Sequence, residues 1–328
     1  MFGYILKRIL LFIPTLLVVS FIVFLLIQLP PGDFLDTMVL RMQQSGTSMD
    51  AEAEALLRER YALDQPFLQQ YSHWISNIVT EGDFGRSFTW NRPVSELIWS
   101  RLGWTFFITI SSLLFTWALA FPIAVYSATH QYSFLDYLFS FIGFIGLAVP
   151  NFLLALVLMW IGFSVFNVSM GGLFSSEYRD APWSLAKFLD FLSHLWVPII
   201  VLGTAGTASL IRTMRANLLD ELNKPYVEAA RAKGLTERHL IWKYPVRVAL
   251  NPFVSSLATL LPTLISGATI VSVVLSLPTT GPMMLDALLE QDMFLAGSFL
   301  LMLSFFTLVS TLVSDILLII IDPRVNYE

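Results

Sequence analysis

The sequence predicts an all-α integral membrane protein with six transmembrane helices and a large first segment outside the membrane. Three observations predict it. The chain of 328 residues is 56% hydrophobic and only 13% charged, whereas a soluble domain carries about 25% charged residues. Six apolar runs are each long enough to cross a hydrocarbon core about 30 Å thick. The basic residues are segregated, with eight of the 19 Lys and Arg lying between Arg212 and Pro252.

Ile9 to Leu29 is the first run, behind Lys7 and Arg8. It is too long for a signal peptide, and Pro30-Pro31-Gly32 follows it where a small-x-small cleavage site would stand. The reading is an uncleaved first helix with its N-terminus inside. Residues 30–103 form a polar segment with eight acidic residues before Asp83, and alternation of sides places it outside. Within it, Ala51 to Arg60 has a helical composition, and Gly82 to Ser87 reads as a turn-rich loop. Thr105 to Tyr126 is the second span. Tyr137 to Phe166 is the third, interrupted by Ala148-Val149-Pro150-Asn151. A proline there removes a backbone hydrogen bond and kinks the helix. Asn151 would then sit at membrane depth, where polar groups face protein or a water-filled cavity.

A second outside segment covers residues 167–193, and Leu195 to Ile211 is the fourth span, with Gly203 and Gly206 suited to close helix packing. Phe253 to Ser276 is the fifth, with Pro262 and Gly267 inside it. Leu277 to Asp292 has three acids and no Lys or Arg, as an outside loop would. Met293 to Ile321 is the sixth, with Asp315 toward its inner end. Both termini fall on the cytoplasmic side, because Lys and Arg concentrate there. The division is residues 1–29, the external segment 30–103, and a transport core 104–328 containing the cytoplasmic loop 212–252.

That loop is the most informative stretch. Pro225 fixes a backbone angle suited to the first turn of a helix, the alanines Ala229, Ala230 and Ala232 favour helix and keep its surface small, and Gly234 is a natural stop. The residues describe a short helix with a polar rim, fit to lie with its backbone close to another protein. The bland alternative is a solvated loop that orients the chain by charge.

Several chemistries are excluded. The chain has no cysteine, hence no disulfide, thiolate metal site or cysteine nucleophile. Its four histidines are scattered without metal-ligand spacing. No G-x-x-x-x-G-K-[ST] loop, H-E-x-x-H helix or clustered catalytic set is present. No catalytic residue, metal site or cofactor is expected on this chain, and nothing points to nucleic acid. Absence of an inverted repeat and scarcity of intramembrane charge weigh against a stand-alone secondary transporter or channel, which is the alternative from another class.

Glu228-Ala229-Ala230, three residues and Gly234 in a basic loop resemble the EAA loop of permease subunits of binding-protein-dependent ABC importers. Tyr226-Val227 and Arg231 to Leu235 resemble the oligopeptide/dipeptide branch. So do Leu63 to Pro66, Gly82 to Ser87, Pro93-Val94, Pro278, Gly281, Asp286-Ala287, Asp292, Asp315 and Asp322-Pro323-Arg324. The resemblance implies a type I ABC importer permease fold in a bacterial or archaeal plasma (inner) membrane. It implies, as partners, a second homologous permease subunit, two ATP-binding subunits that hold ATP and Mg, an exported substrate-binding protein, and membrane lipid.

The resemblance further implies that Tyr226, Glu228, Ala229, Ala230, Arg231, Lys233 and Gly234 couple this chain to the ATPase. Pro150, Asn151, Pro262, Gly267 and Ser272 are the candidates for lining the translocation pathway, half of which this chain would form. Tyr244-Pro245-Val246-Arg247 departs from the Ile-x-Leu-Pro common in the wider family. Ser272 stands where the peptide branch often has Glu, and Pro278-Thr279 where it has Pro-Gly. The expected cargo is therefore peptides or oligosaccharides.

The sidedness is directly testable, since no native thiol interferes. Single cysteines at Ser45 and Ser175 are expected to label from outside with an impermeant maleimide, and one at Thr236 only after permeabilisation. Labelling of Thr236 from outside would overturn the topology.

Overall fold

The computed structural model describes residues 2–27, 35, 39–40, 42–43, 50–60, 64–87, 89–166, 169–251, 253–255, 269–290 and 292–321. The named elements are all α-helices: α1 Phe2–Ile27, α2 Ala51–Arg60, α3 Phe67–Glu81, α4 Val94–Thr129, α5 Phe134–Ala148, α6 Asn151–Phe166, α7 Leu185–Leu222, α8 Pro225–Ala232, α9 Glu237–Lys243, α10 Pro245–Ala249, α11 Thr269–Val274, α12 Thr280–Leu289 and α13 Met293–Ile321. Among the described residues, α1, α4, α7 and α13 are long and apolar enough to cross a membrane, and the bent pair α5–α6 makes a fifth candidate. Pro262 and Gly267, with most of the expected fifth span, lie outside the described residues.

The chain divides into two compact units. One comprises Lys7–Gly103 and Pro282–Phe306. Helix α3 presents Phe67, Tyr71, Trp74 and Ile78 at helical spacing to its core, where they meet Val23 and Phe24 of α1, Leu97 and Ile98 of α4, and Phe294 and Leu295 of α13. The ring of Phe24 lies 5.4–5.7 Å from those of Phe67, Tyr71 and Trp74. Gly82 ends α3 in the left-handed conformation, its N–H donating to the Ile78 carbonyl at 3.2 Å.

The turn that follows is fastened from a distance. Asp292 is fully buried. It accepts hydrogen bonds from the Ser87 hydroxyl, from the Thr89 N–H at 3.1 Å and, as the N-cap of α13, from the Leu295 N–H at 3.3 Å. Gly85 has φ +94° and lies so close to Phe294 that a Cβ would stand 2.7 Å from its ring, so only glycine fits.

The other unit comprises Met1–Leu6, Trp104–Gly281 and Thr307–Glu328. Helix α7 runs through it for 38 residues, about 57 Å at 1.5 Å per residue. It packs on α4 at Gly203, where a Cβ would come within 2.6 Å of Phe115, and the Thr116 hydroxyl donates to the Gly203 carbonyl at 3.2 Å. It packs on α5 where Gly146 faces Thr204. Small residues at such crossings let backbones approach closely. At one end α7 gathers the polar segment before it. Asp190 accepts from the Ser175 N–H at 2.9 Å, and the Lys187 ammonium donates to the Ala181 carbonyl at 2.6 Å while lying over the Phe174 ring.

The third expected span differs from the expectation. Pro150 does not kink a continuous helix but separates two, α5 and α6, whose directions differ by 104°. The cause is local. A residue before proline is pushed out of the helical region, and Val149 is extended at φ −83°, ψ 121°. Pro150 then starts a new helix, its carbonyl accepting from Leu153 and Leu154 at 2.9 and 3.1 Å. Two further differences are helical gains. The expected loop 277–292 contains α12, and α7 continues past Ile211 through Arg212 and Arg215, so the start of the basic loop is helix.

Asp292→Ala is expected to lower stability by about 2–3 kcal/mol, from a lost N-cap and two unsatisfied donors. The loss would appear as a lower thermal midpoint in detergent and faster proteolysis between residues 82 and 93.

Candidate functional site

Beyond α7 the chain turns through Asn223 and Lys224 into α8, with Pro225 at its first position. Val227 and Ala230, three residues apart, point the same way and are buried with Leu240 of α9, while Leu235, Ile241 and Tyr244 close around them. This small core makes the loop a folded element. It also corrects one expectation. Ala230 is not part of an outward small surface; it is only 7% exposed and packs inside its own chain. A large side chain there would disrupt the loop itself.

Tyr226, Glu228, Ala229, Arg231, Ala232 and Lys233 are exposed. Tyr226, Ala229 and Lys233 recur at i, i+3 and i+7 and so share one face. Ala229 sits in the middle of that stripe with only a methyl group, which leaves the α8 backbone approachable. The Tyr226 hydroxyl donates to Glu221 at 2.5 Å, tying the edge of the face to the end of α7.

Gly234 turns the chain with φ +80°, and a Cβ there would meet nothing within 4 Å. Its glycine is required by backbone conformation, not by space. The return into α9 is bridged by Arg231, whose guanidinium donates to Glu237 at 2.5 and 3.3 Å. Hydrogen bonding from Arg231 holds the Glu237 carboxyl below its ordinary value. A depressed carboxylate contributes stability above its unfolded pKa and loses it as pH falls through the folded one, so this bridge is in place at neutral pH. Both side chains are about half exposed, so solvent screens the pair and its contribution to stability is small.

Tyr244 and Pro245 end α9 and start α10, so the second helix of the loop is broken there. Val246 and Ala249 of α10 bury into a core with Ala120 and Ala124 of α4 and Leu210, Met214 and Leu218 of α7. The loop is therefore anchored to the ends of two long helices. A further anchor is ionic. Arg215 donates from Nε and Nη2 to the two carboxylate oxygens of Asp136 at 2.9 and 2.8 Å. In the sequence Arg215 is one charge among eight. The usable signal was Asp136 itself, an acid three residues after Ser133 in a turn with no Lys or Arg.

Of the pathway candidates, Pro150 and Asn151 lie at the α5–α6 break, and Ser272 is buried on α11. Thr269 on the same helix crowds Gly281, where a Cβ would stand 2.9 Å from the Thr269 backbone.

Comparison with known proteins bears on the whole chain. The family described as "Binding-protein-dependent transport system inner membrane component" matches residues 120–327, and the corresponding N-terminal family matches residues 1–109. The chain is 34% identical over 328 residues to the oligopeptide transport system permease protein AppB of Bacillus subtilis (strain 168), covering all of both proteins. It is 32% identical over 330 residues to the glutathione transport system permease protein GsiC of Escherichia coli (strain K12), and 31% over 328 residues to GsiC of Salmonella typhimurium, again along the full length of each. With matches reaching from residue 1 to residue 327, the chain belongs to the inner-membrane permease components of binding-protein-dependent ABC importers, of the peptide type.

Proposed function

We propose that this chain forms half of the translocation pathway of an ATP-driven importer and couples to an ATPase through α8. The observation that carries the reading is the exposed Tyr226–Ala229–Lys233 face on a helix fixed from behind by Val227 and Ala230. A rigid, small-centred helix can transmit a push, whereas a solvated topogenic loop has no need of a core. The partners are a second homologous permease, two ATP-binding subunits that carry ATP and Mg, and an exported substrate-binding protein. This chain hydrolyses nothing itself.

The cargo is a short peptide. Relatives named for oligopeptide and for glutathione, itself a short peptide, support this over an oligosaccharide. Asn151, Pro150 and Ser272, with Pro262 and Gly267, remain the proposed pathway positions.

Six spans with both termini cytoplasmic fit the charges. Lys7 and Arg8 stand in the second turn of α1, before its apolar run, and the basic stretch 212–252 starts in the last turns of α7 and continues beyond it. Placing both on the positive side requires an even number of crossings between them. Helices α1, α4 and α7 give three, so the α5–α6 pair supplies the fourth as one broken crossing and not a re-entrant loop. The polar segment 30–103 then lies outside.

Two measurements test the reading. In a complex reconstituted in proteoliposomes, Ala229→Trp is expected to reduce binding-protein-stimulated hydrolysis and uptake together, by about tenfold or more, which corresponds to roughly 1.4 kcal/mol of lost coupling. Full stimulation in Ala229→Trp would return the loop to a topogenic role. Competition of labelled di- to pentapeptide uptake by oligosaccharides is expected to be absent; uptake of the sugars in place of peptides would reassign the cargo.

A further inference from the structure

We infer that the Asp136–Arg215 ion pair is a positioning element that makes the bent helix pair α5–α6 follow the coupling helix. The inference rests on the proposed coupling role of α8. The carboxylate is withdrawn from solvent, with its side chain 3% exposed against 26% for Arg215. Three hydrogen bonds hold it: Arg215 engages both oxygens, and the Tyr132 N–H donates to Oδ2 at 3.0 Å. Tyr132 is held at φ +65°, a conformation that a tyrosine seldom adopts, so the contact shapes the whole α4–α5 turn. Ser133 caps α5 by accepting the Asp136 N–H at 3.2 Å.

A buried ion pair is a poor source of stability, because two charges lose their water. An apolar pair of similar volume would hold two helices as well. What the ion pair adds is register. A bidentate guanidinium–carboxylate contact fixes direction as well as distance, and neither partner can slide without leaving a buried charge. The register matters because of what lies at each end. Arg215 is on α7, two turns before its end at Leu222, and α8 begins three residues later. Asp136 is in the first turn of α5, whose other end is the 104° break at Pro150. On its other side α7 packs on α4 and α10 through a core of apolar side chains. Displacement of α8 therefore reaches the Pro150 break through α7, the ion pair and α5, with the glycine contact of Gly146 on Thr204 as the pivot along the same two helices.

The test uses the complete reconstituted importer and reads ATP hydrolysed per peptide imported, beside assembly and binding-protein-stimulated hydrolysis. The variants are Asp136→Asn, the apolar double replacement Asp136→Leu/Arg215→Met, and the swap Asp136→Arg/Arg215→Asp. Asp136→Asn and the apolar pair are expected to assemble with the ATPase and to retain stimulated hydrolysis, while ATP consumed per peptide rises about tenfold, within the range by which residues of a coupling network alter coupling. The swap is expected to recover part of that ratio. A wild-type ratio in the assembled apolar pair would overturn the inference, since packing alone would then suffice. If Asp136→Asn fails to assemble, the apolar pair decides. Failure of the coupling reading is distinguishable, because it would appear as full stimulation in Ala229→Trp whatever the Asp136 variants do.

Discussion

The close approach of α4 and α5 to α7 is the constraint on which the 104–281 unit depends. In a lipid environment the hydrophobic effect does not drive helices together, and contact must come from packing and hydrogen bonds. Gly203 and Gly146 supply the packing, because each admits a neighbour's side chain where a Cβ would collide. The Thr116 bond to the Gly203 carbonyl supplies a polar contact at the same crossing. With those contacts made, α7 becomes a strut about 57 Å long by its residue count, against a hydrocarbon core of about 30 Å. It projects past the apolar layer at its ends, and the polar chemistry collects there: Asp190 and Lys187 at one end, Arg215 and Glu221 at the other.

Much of this was legible from the residues. Composition and six apolar runs give the class, and Ala51–Arg60 and Met293–Ile321 fall on helices with the expected ends. Pro225 and Gly234 bound the short helix because their backbone limits act locally and leave the sequence little choice. The direction in which Ala230 points was hidden. Ala229, Ala230 and Ala232 look alike until Leu240, ten residues after Ala230, folds back onto that one. The partner of Arg215 was hidden for the same reason at longer range, since Asp136 lies 79 residues away. Tertiary pairings of this kind have no local signature.

The Pro150 break shows the limit of a local rule. Proline predicts a disturbed helix, but the size of the disturbance depends on whether the preceding residue stays helical. Val149 does not, and so a kink becomes a corner. The corner leaves α5 and α6 at 15 and 16 residues, each about 22–24 Å and too short to span the core alone. Their backbone at the junction must be satisfied by neighbouring protein or water. That requirement explains why a polar Asn151 is tolerated next to it.

The two adjacent alanines of α8 carry separate evolutionary histories in prospect. Ala230 is bounded by Val227 and Leu240, residues of the same chain, so its substitutions should be compensated within this gene. Ala229 is exposed, so its side chain is open to whatever meets that face. On the proposed docking of α8, drift at Ala229 would be tracked by changes in another polypeptide, and a transplanted loop would keep its shape in a foreign permease while losing its correspondent.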